Sequence, residues 1–136
     1  MGVAFHLECP PTAALVRTDP SRLRQALDGL FDNALRLTPA GAPIILAVRM
    51  MAPSALSPAW VAIEVRDGGP GLTTADLAVA FERSALYERY RGIRQVGTGL
   101  GLAIVHGLVT RLGATIEAGQ AVEGGARFTI GLPAVR

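Results

Sequence analysis

Apolar residues at Leu23, Ala26, Leu27, Leu30, Phe31, Ala34 and Leu35 recur at steps of three and four, the spacing of a helix that buries one face. Thr18-Asp19-Pro20 stands before them, a capping aspartate with proline just inside the first turn, and Thr38-Pro39 stands after them, so a helix is predicted from about 20 to 37. The period then changes. Ile44 to Met50 is a mostly apolar run, and from Trp60 to Arg66 the residues Val61, Ile63 and Val65 alternate with Trp60, Ala62, Glu64 and Arg66, the period of two expected of strands. A turn from Pro39 to Pro43 leads into the first of these, and the Pro/Ser-rich connector 52–58 makes the two a hairpin with a long loop. Shorter strands are expected at Phe5 to Leu7 and Ala14 to Arg17, on either side of Pro10-Pro11. A short helix is expected from about Thr73 to Phe81, followed by an irregular stretch to Val96. A second strong helix is opened by Gly97 to Gly101 and ended by Gly113. Strands at Thr115 to Ala118 and Ala126 to Leu132 then pair around Glu123-Gly-Gly. Strands grouped in pairs with helices between them predict an α+β fold, with helices on one face of a mixed, mainly antiparallel sheet.

Composition narrows the function classes. The 136 residues are enough for one domain with its own core. Half are apolar, yet the longest candidate for a membrane span, Gly99 to Leu112, is short and interrupted by glycines, His106 and Arg111. Met1 to Pro10 carries His6 and Glu8 and has neither a basic leader nor a continuous apolar stretch, so a cytoplasmic domain is expected. The net charge is +2 with the arginines dispersed, which speaks against a nucleic-acid partner. Cys9 is the single cysteine, excluding an internal disulfide and multi-cysteine metal sites.

Three segments carry candidate chemistry. Within the first helix, Asp32, Asn33 and Arg36 interrupt the Leu/Ala pattern, and an amide and a guanidinium three residues apart share a face suited to a metal-bound polyphosphate. Asp67-Gly68-Gly69-Pro70-Gly71 directly follows a strand; its glycines let backbone approach a flat ligand and its aspartate can accept from an exocyclic amine. Gly97-Thr98-Gly99-Leu100-Gly101-Leu102 feeds a helix whose free N–H groups can cradle phosphates, without the Lys-Ser/Thr ending of a P-loop or the acidic residue of a dinucleotide fingerprint.

In this order the three segments resemble the N box, G1 box and G2 box of the GHKL ATP-binding superfamily, which comprises histidine kinases, gyrase-type topoisomerases, the ninety-kilodalton heat-shock chaperone and mismatch-repair ATPases. Phe81-Glu82-Arg83 looks like the F box of histidine kinases, and Gly97 to Val105, reading GTGLGLAIV, is very similar to their G2 box. The resemblance runs from about residue 18 to 132 within a single domain, 1–136. It implies the Bergerat two-layer α/β sandwich, with ATP between the helical layer and a lid at about 72–98. It further implies that Asn33 ligates Mg²⁺ and that Arg36 contacts phosphate. Asp67 would bond the adenine amine, Gly69 and Gly71 would make room for the base, and Gly97, Thr98, Gly99, Leu100 and Gly101 would face the phosphates, with Arg91 or Arg94 reaching the γ-phosphate. The implied activity is that of a histidine kinase catalytic domain, monomeric when isolated. It would phosphorylate a histidine on a dimerisation domain that then serves a response regulator, in a parent kinase that can be anchored in the cell membrane.

Two departures qualify this picture. Family N boxes read Asn-x-x-x-Asn, and the first position here is Gly29, which removes a polar side chain one turn before Asn33. In the chaperone and topoisomerase branches that position is a water-activating glutamate, so Gly29 argues against efficient hydrolysis. After the F box, Ser84-Ala85-Leu86 replaces the usual Phe-Tyr-Arg. His6 sits in an expected strand and His106 in a helix, so neither resembles the phospho-acceptor, which is expected on another domain or protein. The rival readings are an anti-sigma-factor-type serine kinase and a degenerate nucleotide-binding interaction module without phosphotransfer.

Overall fold

The structure, a computed structural model, describes residues 4–9, 16–51, 59–82 and 101–134. Its elements are β1 (Ala4–Glu8), α1 (Pro20–Leu37), β2 (Pro43–Met51), β3 (Trp60–Asp67), α2 (Thr74–Val79), α3 (Gly101–Arg111), β4 (Thr115–Gln120) and β5 (Ala126–Pro133). The long helix starts where its cap dictates: Asp19 Oδ1 accepts from the N–H groups of Ser21 at 3.0 Å and Arg22 at 3.2 Å, with Pro20 in the first turn. At the other end, Thr38 is extended and its N–H donates to the Ala34 carbonyl.

The strands form one sheet in the order β1-β2-β3-β5-β4, with β1 parallel to β2 and every other pair antiparallel. The α+β expectation holds. Alternation along β3 sends Val61, Ile63 and Val65 to the face that also receives Ile44, Phe128, Ile130 and Leu132. Ala26, Leu30 and Ala34 of α1 and Leu102, Val105, Leu108 and Val109 of α3 close over it as one apolar core. The opposite face carries Arg49, Glu64, Arg66 and Arg127. Strand alternation alone would leave Glu64 solvated, yet it is 3% exposed, because Arg49 and Arg66 bond its carboxylate from either side.

Several boundaries differ from expectation. Of the strand expected at 14–17, Val16 makes one isolated bridge to Ala134, and residues 14 and 15 lie outside the described residues. The short helix α2 ends at Val79, and its start is fixed by a capping box in which Thr73 and Asp76 each accept from the other's N–H, at 3.1 and 3.0 Å. Leu72, Asp76 and Ala80 are buried, so the first part of the lid expected at 72–98 is core, and residues 83–98 lie outside the described residues. No helix among the described residues is long and apolar enough to cross a membrane.

Candidate nucleotide-binding site

Between α1 and α3 lies a small cleft of about 120 Å³. Gly29, Asp32, Asn33, Arg36 and Leu37 line it from α1, Leu72 and Ala80 from either side of α2, Gly101 and Leu102 from the start of α3, and Ala126 and Phe128 from β5. The helical spacing of Asn33 and Arg36 therefore does what it predicts and puts both on one wall. Gly101 is the first described residue of α3, so the N-terminal part of that helix, toward its positive dipole end, forms part of the opposite wall. Arg91, Arg94, Gly97, Thr98, Gly99 and Leu100 lie outside the described residues.

Asp67, Gly69 and Gly71 do not line the cleft but adjoin it. Asp67 is the last residue of β3 and 2% exposed, and its Oδ1 accepts from the N–H of Gly69 at 2.9 Å and from that of Ala126, a lining residue, at 3.1 Å. Burial pushes the Asp67 carboxyl above its usual range, and the two N–H donors pull in the opposite direction. A Cβ on Gly69 would stand 2.7 Å from the carbonyl oxygen of Leu37, so the turn after β3 lies against the end of α1. Gly71 has φ +77°, and a Cβ there would meet the Gly124 carbonyl oxygen at 2.9 Å. Thr38, next in the chain to Leu37, is buried, and its Oγ1 has no hydrogen-bond partner among the described residues.

Two glycines that sequence reasoning left unexplained have packing reasons. A Cβ on Gly29 would come within 2.6 Å of Val105 Cγ2, so glycine lets α1 and α3 approach closely beside the cleft. Gly125, read only as part of a hairpin turn, lies so close to β3 that a Cβ would fall 2.0 Å from Asp67 Oδ1 and 2.2 Å from the Asp67 carbonyl oxygen. Together with the Ala126 N–H, it fixes where the Asp67 carboxylate stands. Leu72, Ala80 and Phe128 were not anticipated as lining, and Asp32 and Leu102 were named only as parts of their candidate segments. A pair of adjacent glycines before β5 was the one available signal for the floor; the apolar wall residues carry none.

Residues 18–136 match the family model described as histidine kinase-, DNA gyrase B-, and HSP90-like ATPase. The chain belongs to this ATPase family. Among curated relatives, the sensor protein DivL of Caulobacter vibrioides is 37% identical over 133 residues, 97% of this chain and 16% of DivL. The sensor histidine kinase ZraS of Klebsiella oxytoca is 35% identical over 131 residues, 96% of this chain and 26% of ZraS. The chain thus spans about a quarter or less of these relatives. Among solved structures, full-length ShkA in complex with AMPPNP superposes with a TM-score of 0.77 at 27% identity, covering 98% of this chain and 26% of that one. The mycobacterial sensor histidine kinase MprB shares the fold at a TM-score of 0.72 and 24% identity, over 97% of this chain and 82% of that one. The chain is thus an ATPase-family domain similar to part of sensor proteins and sensor histidine kinases, and the serine-kinase and degenerate readings are not favoured.

Proposed function

We propose that this domain binds Mg-ATP in the α1/α3 cleft and transfers the γ-phosphate to a histidine on a separate dimerisation domain, from which a response regulator receives it. The observation that carries this reading is the convergence of Asn33, Arg36 and the start of α3 on one cleft, beside an Asp67 carboxylate held in a fixed orientation by two backbone N–H groups. The AMPPNP complex of ShkA supports a nucleotide as the occupant.

Each group has a role set by its chemistry. Asp67, whose Oδ1 is held by the chain, accepts from the exocyclic amine of adenine; a base with a carbonyl there would meet an acceptor with an acceptor. Gly69 and Gly71 keep the turn thin enough for the base to approach. Arg36 and the N–H groups at the start of α3, with Gly97, Thr98, Gly99, Leu100 and Gly101, face the phosphates, and Arg91 or Arg94 reaches the γ-phosphate.

The donors present fit Mg²⁺ held mainly through phosphate oxygens: Asn33 offers a hard amide oxygen, and Mg²⁺ characteristically takes few protein ligands and keeps several waters. When bound, the ion would neutralise charge on the phosphates. The chain's own contribution is positioning and electrostatics. An imidazole nitrogen of the acceptor attacks the γ-phosphorus in line, the bond to the bridging oxygen breaks, and ADP leaves. With glycine at position 29, no carboxylate stands one turn before Asn33 to activate water, which favours transfer over hydrolysis.

The acceptor domain, the regulator and attachment to a membrane on its cytoplasmic side belong to the parent protein in this proposal. The isolated domain is monomeric and has no nucleic-acid partner. The experiment that tests the reading mixes the domain with γ-labelled ATP and the dimerisation domain of its parent or genomic neighbour, then treats the labelled product with acid. Loss of label identifies phosphohistidine. Acid-stable label, or none on the acceptor, overturns the proposal.

A further inference from the structure

The loop between β4 and β5 is gripped from both faces of the sheet by two consecutive residues of β3. On the helix side, Asp67 Oδ1 takes the Ala126 N–H at 3.1 Å. On the open side, Arg66 reaches Glu123 at the turn: its Nε lies 3.1 Å from Oε1 and 3.4 Å from Oε2, and its NH2 lies 3.3 Å from Oε2. Strand alternation is what sends these adjacent side chains to opposite faces. The pair is shielded, with side-chain exposures of 13% for Arg66 and 16% for Glu123. A multiply bonded guanidinium–carboxylate pair with little solvent around it fixes geometry far better than an exposed single contact.

The turn it holds is itself tight. The Ala121 N–H donates to the Gly125 carbonyl at 2.8 Å, and the Gly124 N–H donates to the Ala121 carbonyl at 3.0 Å. Glu123 sits inside this unit, so its position is transmitted to Gly125 and Ala126 through a closed ring of backbone bonds. Those are the residues against which Asp67 rests. Arg66 is itself held by Glu64 at 3.1 Å and by Glu8 of β1 at 3.2 Å, so its guanidinium is a fixed point rather than a mobile partner.

We propose that the Arg66–Glu123 ion pair positions the base-reading carboxylate: by clamping the β4–β5 turn onto β3 from the open face, it holds Gly125 and the Ala126 N–H on Asp67 and so sets the discrimination between adenine and guanine nucleotides. Glu123 and Arg66 are positioning residues, since neither lines the nucleotide cleft. The inference rests on the reading of Asp67 as the adenine contact given above.

The test measures ATP and GTP affinities by calorimetry for the wild-type domain and for Glu123→Ala, Glu123→Gln, Glu123→Asp and Asp67→Ala, with circular dichroism of each. Glu123→Ala should cut the ATP-over-GTP preference by about tenfold, chiefly through weaker ATP binding, the scale of one lost hydrogen bond. Glu123→Gln, which keeps the volume and one acceptor, should fall between, and Glu123→Asp should recover part of the preference. A parallel loss of both affinities in the Glu123 series, or an unchanged preference in Glu123→Gln and Glu123→Ala while Asp67→Ala abolishes it, overturns the positioning inference alone. A wild-type domain without preference, or a preference untouched in Asp67→Ala, overturns the underlying reading of Asp67 instead.

Discussion

Replacing Gly29 by alanine tests the close approach of α1 and α3 beside the cleft. In an exposed helix the change would stabilise by about 1 kcal/mol, because glycine is a poor helix former. Here the new methyl would start 2.6 Å from Val105 Cγ2. Ordinary carbon–carbon contact lies near 3.5–4.0 Å, so one side must move by roughly 1 Å. Val105 is 1% exposed and has a stiff β-branched side chain, so it cannot rotate away cheaply. Overpacking of this kind costs about 1–3 kcal/mol, which offsets or exceeds the propensity gain, and the net expectation is a destabilisation of about 0–2 kcal/mol. The sharper test is a double-mutant cycle. Val105→Ala alone removes buried methyl groups and should cost about 1.5–3 kcal/mol. In the double variant the methyl introduced at position 29 occupies space vacated by Cγ2, so the combined cost should fall short of the sum by about 1–2 kcal/mol. Urea denaturation of the four proteins, followed by far-ultraviolet circular dichroism, reads all terms. A Gly29→Ala variant stabilised by the full propensity gain, with additive effects in the double, would refute the account of why this position lacks a side chain. In the Val105→Ala background, Gly29→Asn then asks whether a second amide strengthens the Mg²⁺ dependence of ATP binding.

The raised pKa of Asp67 means that the folded chain binds that proton more tightly than the unfolded chain does. Its contribution to stability is fully present below the ordinary carboxyl range and is lost as pH rises through the folded value, so the stability of wild type relative to Asp67→Asn should decline with pH across that interval; a pH-independent difference in urea unfolding would contradict it. Asp76→Ala removes half of the capping box at a fully buried site and should cost about 2 kcal/mol or more, whereas Asp19→Ala, at an exposed cap, should cost about 1 kcal/mol; equal thermal shifts would show that burial is not what separates them. Thr38→Val removes a buried hydroxyl that has no partner among the described residues, so the unfolding midpoint should hold or rise, and a drop of more than about 1 kcal/mol would reveal a partner for that oxygen. Gly125→Ala should abolish ATP binding or folding, because its Cβ has no space beside Asp67, and a variant that retains wild-type affinity would mean that the turn gives way freely.

What was legible in the sequence follows from how local its cause is. The first helix could be bounded at both ends because Asp19, Pro20, the three-and-four apolar rhythm and Thr38-Pro39 all act within a few residues of one another. For the same reason Asn33 and Arg36 could be put on one wall from spacing alone. Gly125 was opaque, since its tightness is set by a residue on a strand far earlier in the chain, and a glycine beside another glycine in a hairpin already has a sufficient local explanation in the turn. The burial of Glu64 was opaque in a similar way, because it depends on two arginines, one of them on the neighbouring strand, converging on one carboxylate. The apolar cleft residues Leu72, Ala80 and Phe128 look like any core positions, because the same burial that builds the core also shapes the wall.

The strand order β1-β2-β3-β5-β4 has a consequence for how the domain comes into being. The last strand in chain order lies in the interior of the sheet, between β3 and β4, and it supplies both Ala126 and Phe128 to the cleft. During vectorial synthesis, β1, β2 and β3 can pair as they emerge, but β4 has no partner of its own until β5 arrives. The nucleotide site therefore cannot assemble on a nascent chain until β5 has cleared the ribosome. The half-built sheet meanwhile exposes the β3 edge that β5 will cover, so a chain lacking β5 presents an unpaired edge open to association in place of a weakened ATP site.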